Sequence, residues 1–218
     1  MCFSASASFG VGAVLLAGGV ASVKYAKQTN QIPFATIPFV FAVQQFCEGL
    51  LWISLPDQNY SEYAKIFTYL FLFFAQVVWP TWVPLSMRLI EKDEARKKIQ
   101  TVFLVTGIVV SISLAFCISE YPVSANISSH HIQYKIGFPY ENLKFLSFLY
   151  LIPTLVSPLI SSVNKMWIIG NLLFLSYITS KIFFEDYLIS VWCFFAAAIS
   201  ISVFYVVRQM QKIHIRVS

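Results

Sequence analysis

Residues 99–119 read IQTVFLVTGIVVSISLAFCIS, a stretch with no charged side chain, preceded by Lys97 and Lys98 and followed by Glu120. At ~1.5 Å per residue, a helix of this length matches the ~30 Å hydrocarbon core of a bilayer. An ordinary soluble core has no use for such a run. Six further stretches have the same character, at residues 4–23, 33–55, 64–89, 145–162, 166–184 and 187–207. Together they predict an all-α transmembrane bundle of seven helices in a single domain, 1–218. Composition agrees: 58% of residues are hydrophobic and only 11% charged, against about 25% charged in a typical soluble domain.

The net charge of +5 is not a nucleic-acid signature, because the basic residues lie in short segments between apolar runs and carry no recognition motif. Their placement is a topology signal. Cytoplasmic loops keep lysine and arginine, and Lys24, Lys27, Arg88, Lys92, Arg96, Lys97, Lys98, Lys165, Arg208, Lys212 and Arg216 all fall on one side of the bundle. Lys65, Lys135, Lys144 and Lys181 fall on the other. The N-terminus is therefore expected outside and the C-terminus in the cytoplasm. The first run has its charges after the apolar stretch, which predicts a retained anchor rather than a cleaved secretory signal. Asn59 and Asn126 head glycosylation-type tripeptides, both on the outer side.

Glu48 is the one acid well inside a predicted span, in the segment FAVQQFCEGLLW at 41–52. A carboxylate there costs roughly 2–3 kcal/mol on insertion scales, so it needs a partner, water or a proton. Gln44 at i−4 and Gln45 at i−3 share its helix face. The group reads either as a ligand- or proton-binding site or as a polar clasp between helices. In the third span, WPTWVP at 79–84 places two prolines whose missing N–H groups release the carbonyls of Gln76 and Pro80. The helix should bend there, with Trp79 and Trp82 as interface anchors or as walls of a pocket.

Other polar residues admit two readings each. Ser147, Tyr150, Thr154, Ser157 and Ser161 recur at three- or four-residue steps along the fifth span, as helix glue or as the lining of a polar path. Ser4, Ser8, Gly12 and Gly19 form a narrow face suited to close packing. Cys2, Cys47, Cys117 and Cys193 match no zinc or redox spacing and read as small hydrophobes. Cys2 differs, since loss of Met1 would place a thiol and an α-amine on one residue. Lys181 falls at about the depth of Glu48, as a buried partner or as a side chain reaching to the surface. His130 and His131 are adjacent in the long outer connection. No metal or cofactor is predicted.

Three segments, MCFSASASF at 1–9, QQFCEGLLW at 44–52 and WPTWVPLS at 79–86, resemble a family of uncharacterised bacterial polytopic membrane proteins. The resemblance implies a multi-pass protein of the inner membrane and brings no activity with it. Retinal proteins, zinc-dependent membrane hydrolases and G-protein-coupled receptors are disfavoured: the last span lacks a lysine, no span contains histidine, and the receptor signatures are absent. The leading expectation is binding or transport of a small molecule or lipid in a polar pocket around Glu48, Gln44, Gln45, Trp79 and Trp82, with Cys2 and Lys181 as further candidates. The alternatives are a hydrolase or transferase working at the outer interface through Cys2 or Glu48, and a structural or regulatory interaction protein. The expected partners are membrane lipids and a small-molecule ligand, not nucleic acid.

Overall fold

A computed structural model describes residues 4–217 apart from Ser129, with the backbone alone for residues 140–144 and 212–217. The helices are α1 (Ala5–Tyr25), α2 (Thr29–Ser54), α3 (Gln58–Ile90), α4 (Glu94–Glu120), α5 (residues 140–160), α6 (Met166–Phe183) and α7 (Glu185–Gln211). The α7 helix continues along its backbone to Val217. Among the described residues, α1 to α4, α6 and α7 are six helices long and apolar enough to cross a membrane, whereas the apolar part of α5 is the shorter Phe145–Ile160. Successive helices pack side by side, and α7 returns to α1 and α2.

Small residues set the closest of these contacts. Ser8, Gly12, Gly19 and Ser22 are buried on α1, and a Cβ at Gly19 would stand 2.7 Å from the backbone nitrogen of Phe39. Without side chains between them, the α1 and α2 backbones touch, which is how helices gain dispersion energy in lipid where no hydrophobic effect drives association.

The prolines of α3 act through a widened turn. Residues Phe73–Val78 are π-helical, and the Trp79 N–H bonds the carbonyl of Phe74, five residues back. Pro80 has no donor and its ring crowds the preceding turn, so the ladder opens just before it. Side chains from other helices take up the loosened carbonyls: Tyr150 Oη donates to Ala75 O at 2.7 Å and Ser111 Oγ to Val77 O at 2.6 Å. The Pro80 carbonyl, released by Pro84, lies against Gly107, where a Cβ would approach it to 1.9 Å. In α5, Pro153 lies within a second π-helical stretch, Ile152–Val156.

The connection after α4 departs from the expected pattern of helices and plain loops. It folds as an antiparallel hairpin of β1 (Val123–Ser128) and β2 (His131–Ile136), in register Ser128↔His131 through Val123↔Ile136. His130 adopts φ 66°, the positive value a tight hairpin connection asks for. The pleat turns Ile132 and Tyr134 inward, both buried, and Tyr134 stacks on Phe71 of α3 with ring centroids 4.7 Å apart. The hairpin thus covers one end of an otherwise all-α bundle, and the eleven basic residues named above belong to the opposite end.

Candidate functional site

Glu48 is 2% exposed, on the face of α2 that meets α7. Ser190 Oγ of α7 donates to Glu48 Oε1 at 2.5 Å, and Gln45 Nε2 donates to Oε2 at 3.4 Å. Gln44, one turn earlier, accepts from Trp79 Nε1 at 2.7 Å, and the Trp79 ring stacks on Phe41 at 3.8 Å. The π turn in α3 immediately precedes Trp79, so the indole reaches α2 from the first residue after the irregular stretch. Residues predicted from the sequence, Gln44, Gln45, Glu48 and Trp79, are brought together here.

Three polar atoms in this region are buried without a hydrogen-bond partner: Gln45 Oε1, Tyr134 Oη and Trp192 Nε1. The Gln44 side chain also hydrogen-bonds the thiol of Cys193. Tyr134, arriving from β2, is close enough to Glu48 to feel its charge; burial first, and that charge second, hold its phenol well above the ordinary tyrosine range. A cavity of about 120 Å³ is lined by Tyr134, Ser147, Tyr150, Tyr177, Trp192 and Cys193 among others, with Glu48, Gln44 and Gln45 behind its wall and not part of the lining. An unpaired buried donor or acceptor costs about 1–3 kcal/mol, so each of these three atoms leaves bonding capacity unused.

The remaining candidates lie elsewhere. Trp82 Nε1 donates to Pro33 O at 3.1 Å and ties α3 to the start of α2. Lys181 is no partner of Glu48: it is exposed near the end of α6 and pairs at 2.5 Å with Glu185, four residues on at the start of α7. A long side chain near a helix end reaches outward more cheaply than it can be desolvated. Cys2 lies outside the described residues. The α5 hydroxyls mostly serve as glue: Thr154 bonds its own helix at Tyr150 O, Ser157 and Gln100 exchange two bonds at 2.6 and 2.8 Å, and Ser161 donates to Glu91. Ser147 is the member of the stripe that reaches the cavity without a bond of this kind. His131 packs its ring against Phe184 and Tyr187.

Sequence reasoning missed Ser190, Trp192 and Tyr134 as members of the centre. It also missed a second buried acid, Glu91, 3% exposed, at the end of α3. Its carboxylate accepts from Lys92 N, Asp93 N, Ser162 N, Ser161 Oγ and Ser162 Oγ. Burial pushes this carboxyl up, but the bonds from Ser162, Asp93 and Ser161 outweigh it and hold the group below the usual carboxylate range.

Long apolar helices around a polar centre define a multi-pass helical membrane protein. More particularly, the chain belongs to the family of unknown function DUF6629, whose profile covers residues 1–217. No curated protein and no solved structure matches it.

Proposed function

We propose that this protein binds a small molecule or lipid group in the hairpin-side half of the bundle, at the cavity beside Glu48, either to carry it or to sense it. The observation that supports this reading is an open volume walled by Tyr134 and Trp192, whose Oη and Nε1 are buried without partners, with the unpaired Gln45 Oε1 beside the Glu48 carboxyl behind it. A clasp that served only to hold helices together would be closed, as the one at Glu91 is. The test uses protein purified into lipid nanodiscs and a library of water-soluble small molecules, read by thermal stabilisation. At least one compound class stabilises the wild type and fails to stabilise Ser147→Phe, which fills the cavity, or Glu48→Gln. If no compound distinguishes wild type from Ser147→Phe, Glu48 is a packing residue and the reading falls.

The topology proposed with it has seven crossings, the N-terminus outside and the hairpin on the outer face of a bacterial inner membrane. The concentration of lysine and arginine at the other end supports that orientation. Over residues 140–160, α5 offers about 30 Å of helix at ~1.5 Å per residue, which supports its counting as a crossing. In a cysteine-free background, an impermeant thiol reagent applied to intact cells labels cysteines placed at Gln58 and Gln133 but not at Ala95. Labelling at Ala95 would reverse the orientation.

A further inference from the structure

We infer that the site takes an uncharged amphiphile, an alcohol with a short hydrocarbon tail, whose hydroxyl stays in the cavity that Ser147 lines and whose tail enters a second, dry cavity in the bundle. The inference rests on the pocket reading above and adds the class of ligand. The second cavity, of about 70 Å³, lies among α2, α3, α5, α6 and α7, with Phe41, Met87, Leu155, Ile169, Ala196 and Val203 in its wall. The surface it exposes is wholly apolar. Polar side chains that belong to this wall turn their polar atoms into bonds elsewhere: Thr154 Oγ1 donates to Tyr150 O, Ser200 Oγ to Ala197 O, Tyr150 Oη to Ala75 O and Trp79 Nε1 to Gln44 Oε1. A buried water makes about three hydrogen bonds, and this surface offers it none. A hydrocarbon group asks for none.

The cavity that Ser147 lines supplies what the dry one lacks. Gln76, Ser147 and Tyr177 are in its wall, none of them fully buried, and their side chains make no hydrogen bond among the described residues. An amide and two hydroxyls can both donate and accept, which suits a guest hydroxyl that does the same. The lining includes no aspartate, glutamate, lysine, arginine or histidine, so an ammonium or carboxylate entering here would be desolvated without a counter-charge. The two spaces stand back to back, since Tyr150, Trp192 and Cys193 belong to both walls. Of these, Tyr150 is tied to Ala75 O. The Trp192 indole makes no hydrogen bond and is held by edge contacts, to Tyr150 at 5.8 Å and to Tyr177 at 5.1 Å. Turning that ring opens one space to the other, and a molecule polar at one end and apolar at the other is what such a pair of cavities selects.

Ligand-observed NMR of straight-chain alcohols from propanol to hexanol tests this, with the protein in nanodiscs and empty discs as the reference for partition into lipid. Affinity rises ~fourfold for each added methylene, the ratio that corresponds to burying it. Hexylammonium and hexanoate bind roughly tenfold or more weakly than hexanol, because their charge is left unpaired. Ala196→Leu, which fills the dry cavity, removes the gain with chain length and leaves propanol binding as in wild type; Leu173→Phe, in the same wall, is the variant to read where Ala196→Leu does not fold. Ser147→Phe removes the binding of every alcohol. A chain-length gain that survives in the dry-cavity variant would overturn the placement of the tail, and charged analogues that bind as tightly as hexanol would overturn the uncharged class. In both cases loss of binding in Ser147→Phe keeps the pocket reading. If no alcohol binds, the inference falls, and the pocket reading falls with it only where no library compound distinguishes wild type from Ser147→Phe.

Discussion

The molecule buries two glutamates, and they are treated in opposite ways. Glu91, at the basic end, receives five hydrogen bonds from the α3–α4 turn and from Ser161 and Ser162 after α5. Nearby, Gln100 and Ser157 satisfy each other, and Arg96 donates to Ile160 O at 3.0 Å. Glu48, at the hairpin end, has two donors, and near it Gln45 Oε1 and Tyr134 Oη have no partner. One acid is a latch whose bonding capacity is filled. The other leaves bonding capacity in reserve, and that difference, rather than burial itself, separates a structural carboxyl from a binding one.

The contrast is most easily broken at the latch. Replacing Glu91 with alanine strands five donors, and we expect roughly 3 kcal/mol of destabilisation, about 6–12 °C in the melting temperature of a domain this size. Its folded-state carboxyl is held below its ordinary value, so its contribution is present above the unfolded pKa of about 4.3 and is lost as pH falls through the lower folded value. Thermal melts from pH 7 down to 3 should therefore lose stability at the acid end, and Glu91→Gln should flatten that loss. An acid limb unchanged in Glu91→Gln would show that other groups carry it.

Gly107→Ala should follow in size, because the added methyl meets the Pro80 carbonyl at 1.9 Å and must push α4 from α3. Overpacking of this kind costs about 1–3 kcal/mol; a variant as stable as wild type by thermal melt would mean that the two helices separate freely. Glu48→Gln should change stability by less than about 1 kcal/mol, since the amide oxygen still accepts from Ser190, yet it should abolish the ligand-dependent stabilisation. A melt lowered as far as that of Glu91→Ala would erase the distinction between the two acids. Smallest of all, Tyr134→Phe removes a hydroxyl that has no partner and keeps the stack on Phe71. We expect its unliganded melting temperature to stay within about 2 °C of wild type, a shift of about 0.5 kcal/mol, and a larger fall would reveal a bond made by that phenol in the resting protein.

The apolar runs that became α1 to α4, α6 and α7 were legible because membrane solvent leaves a one-dimensional trace, length and absence of charge. Glu48 with Gln44 and Gln45 was legible for the same reason, since a polar cluster at helical spacing inside an apolar run has a cost that must be met. Ser190, Trp192 and Tyr134 left no such trace: they lie 86 to 144 residues along the chain from Glu48, in segments where a serine or an aromatic is ordinary. Glu91 hid among lysines in a polar turn. The hairpin was readable, since Val123, Ala125 and Ile127, then Ile132, Tyr134 and Ile136, alternate with polar residues at the period of a strand. The expectation of an all-α bundle passed over that alternation.

The π-helical turn before Trp79 fixes an angular phase as well as a backbone irregularity. A wide turn holds one residue more than the α-helical turn it replaces, so everything after Phe73–Val78 is rotated by about 100° relative to an unbroken helix. Thr68, Phe71 and Leu72 before it and Trp79, Met87 and Ile90 after it are all buried, although no single straight helical stripe of this length is required to contain them. Deleting one residue from the turn would restore a regular helix and swing the Trp79 indole off Gln44 while leaving the apolar length of α3 almost unchanged. Insertion into lipid and assembly of the centre are thus written in separate variables of one helix: how long it is, and through what angle it has turned.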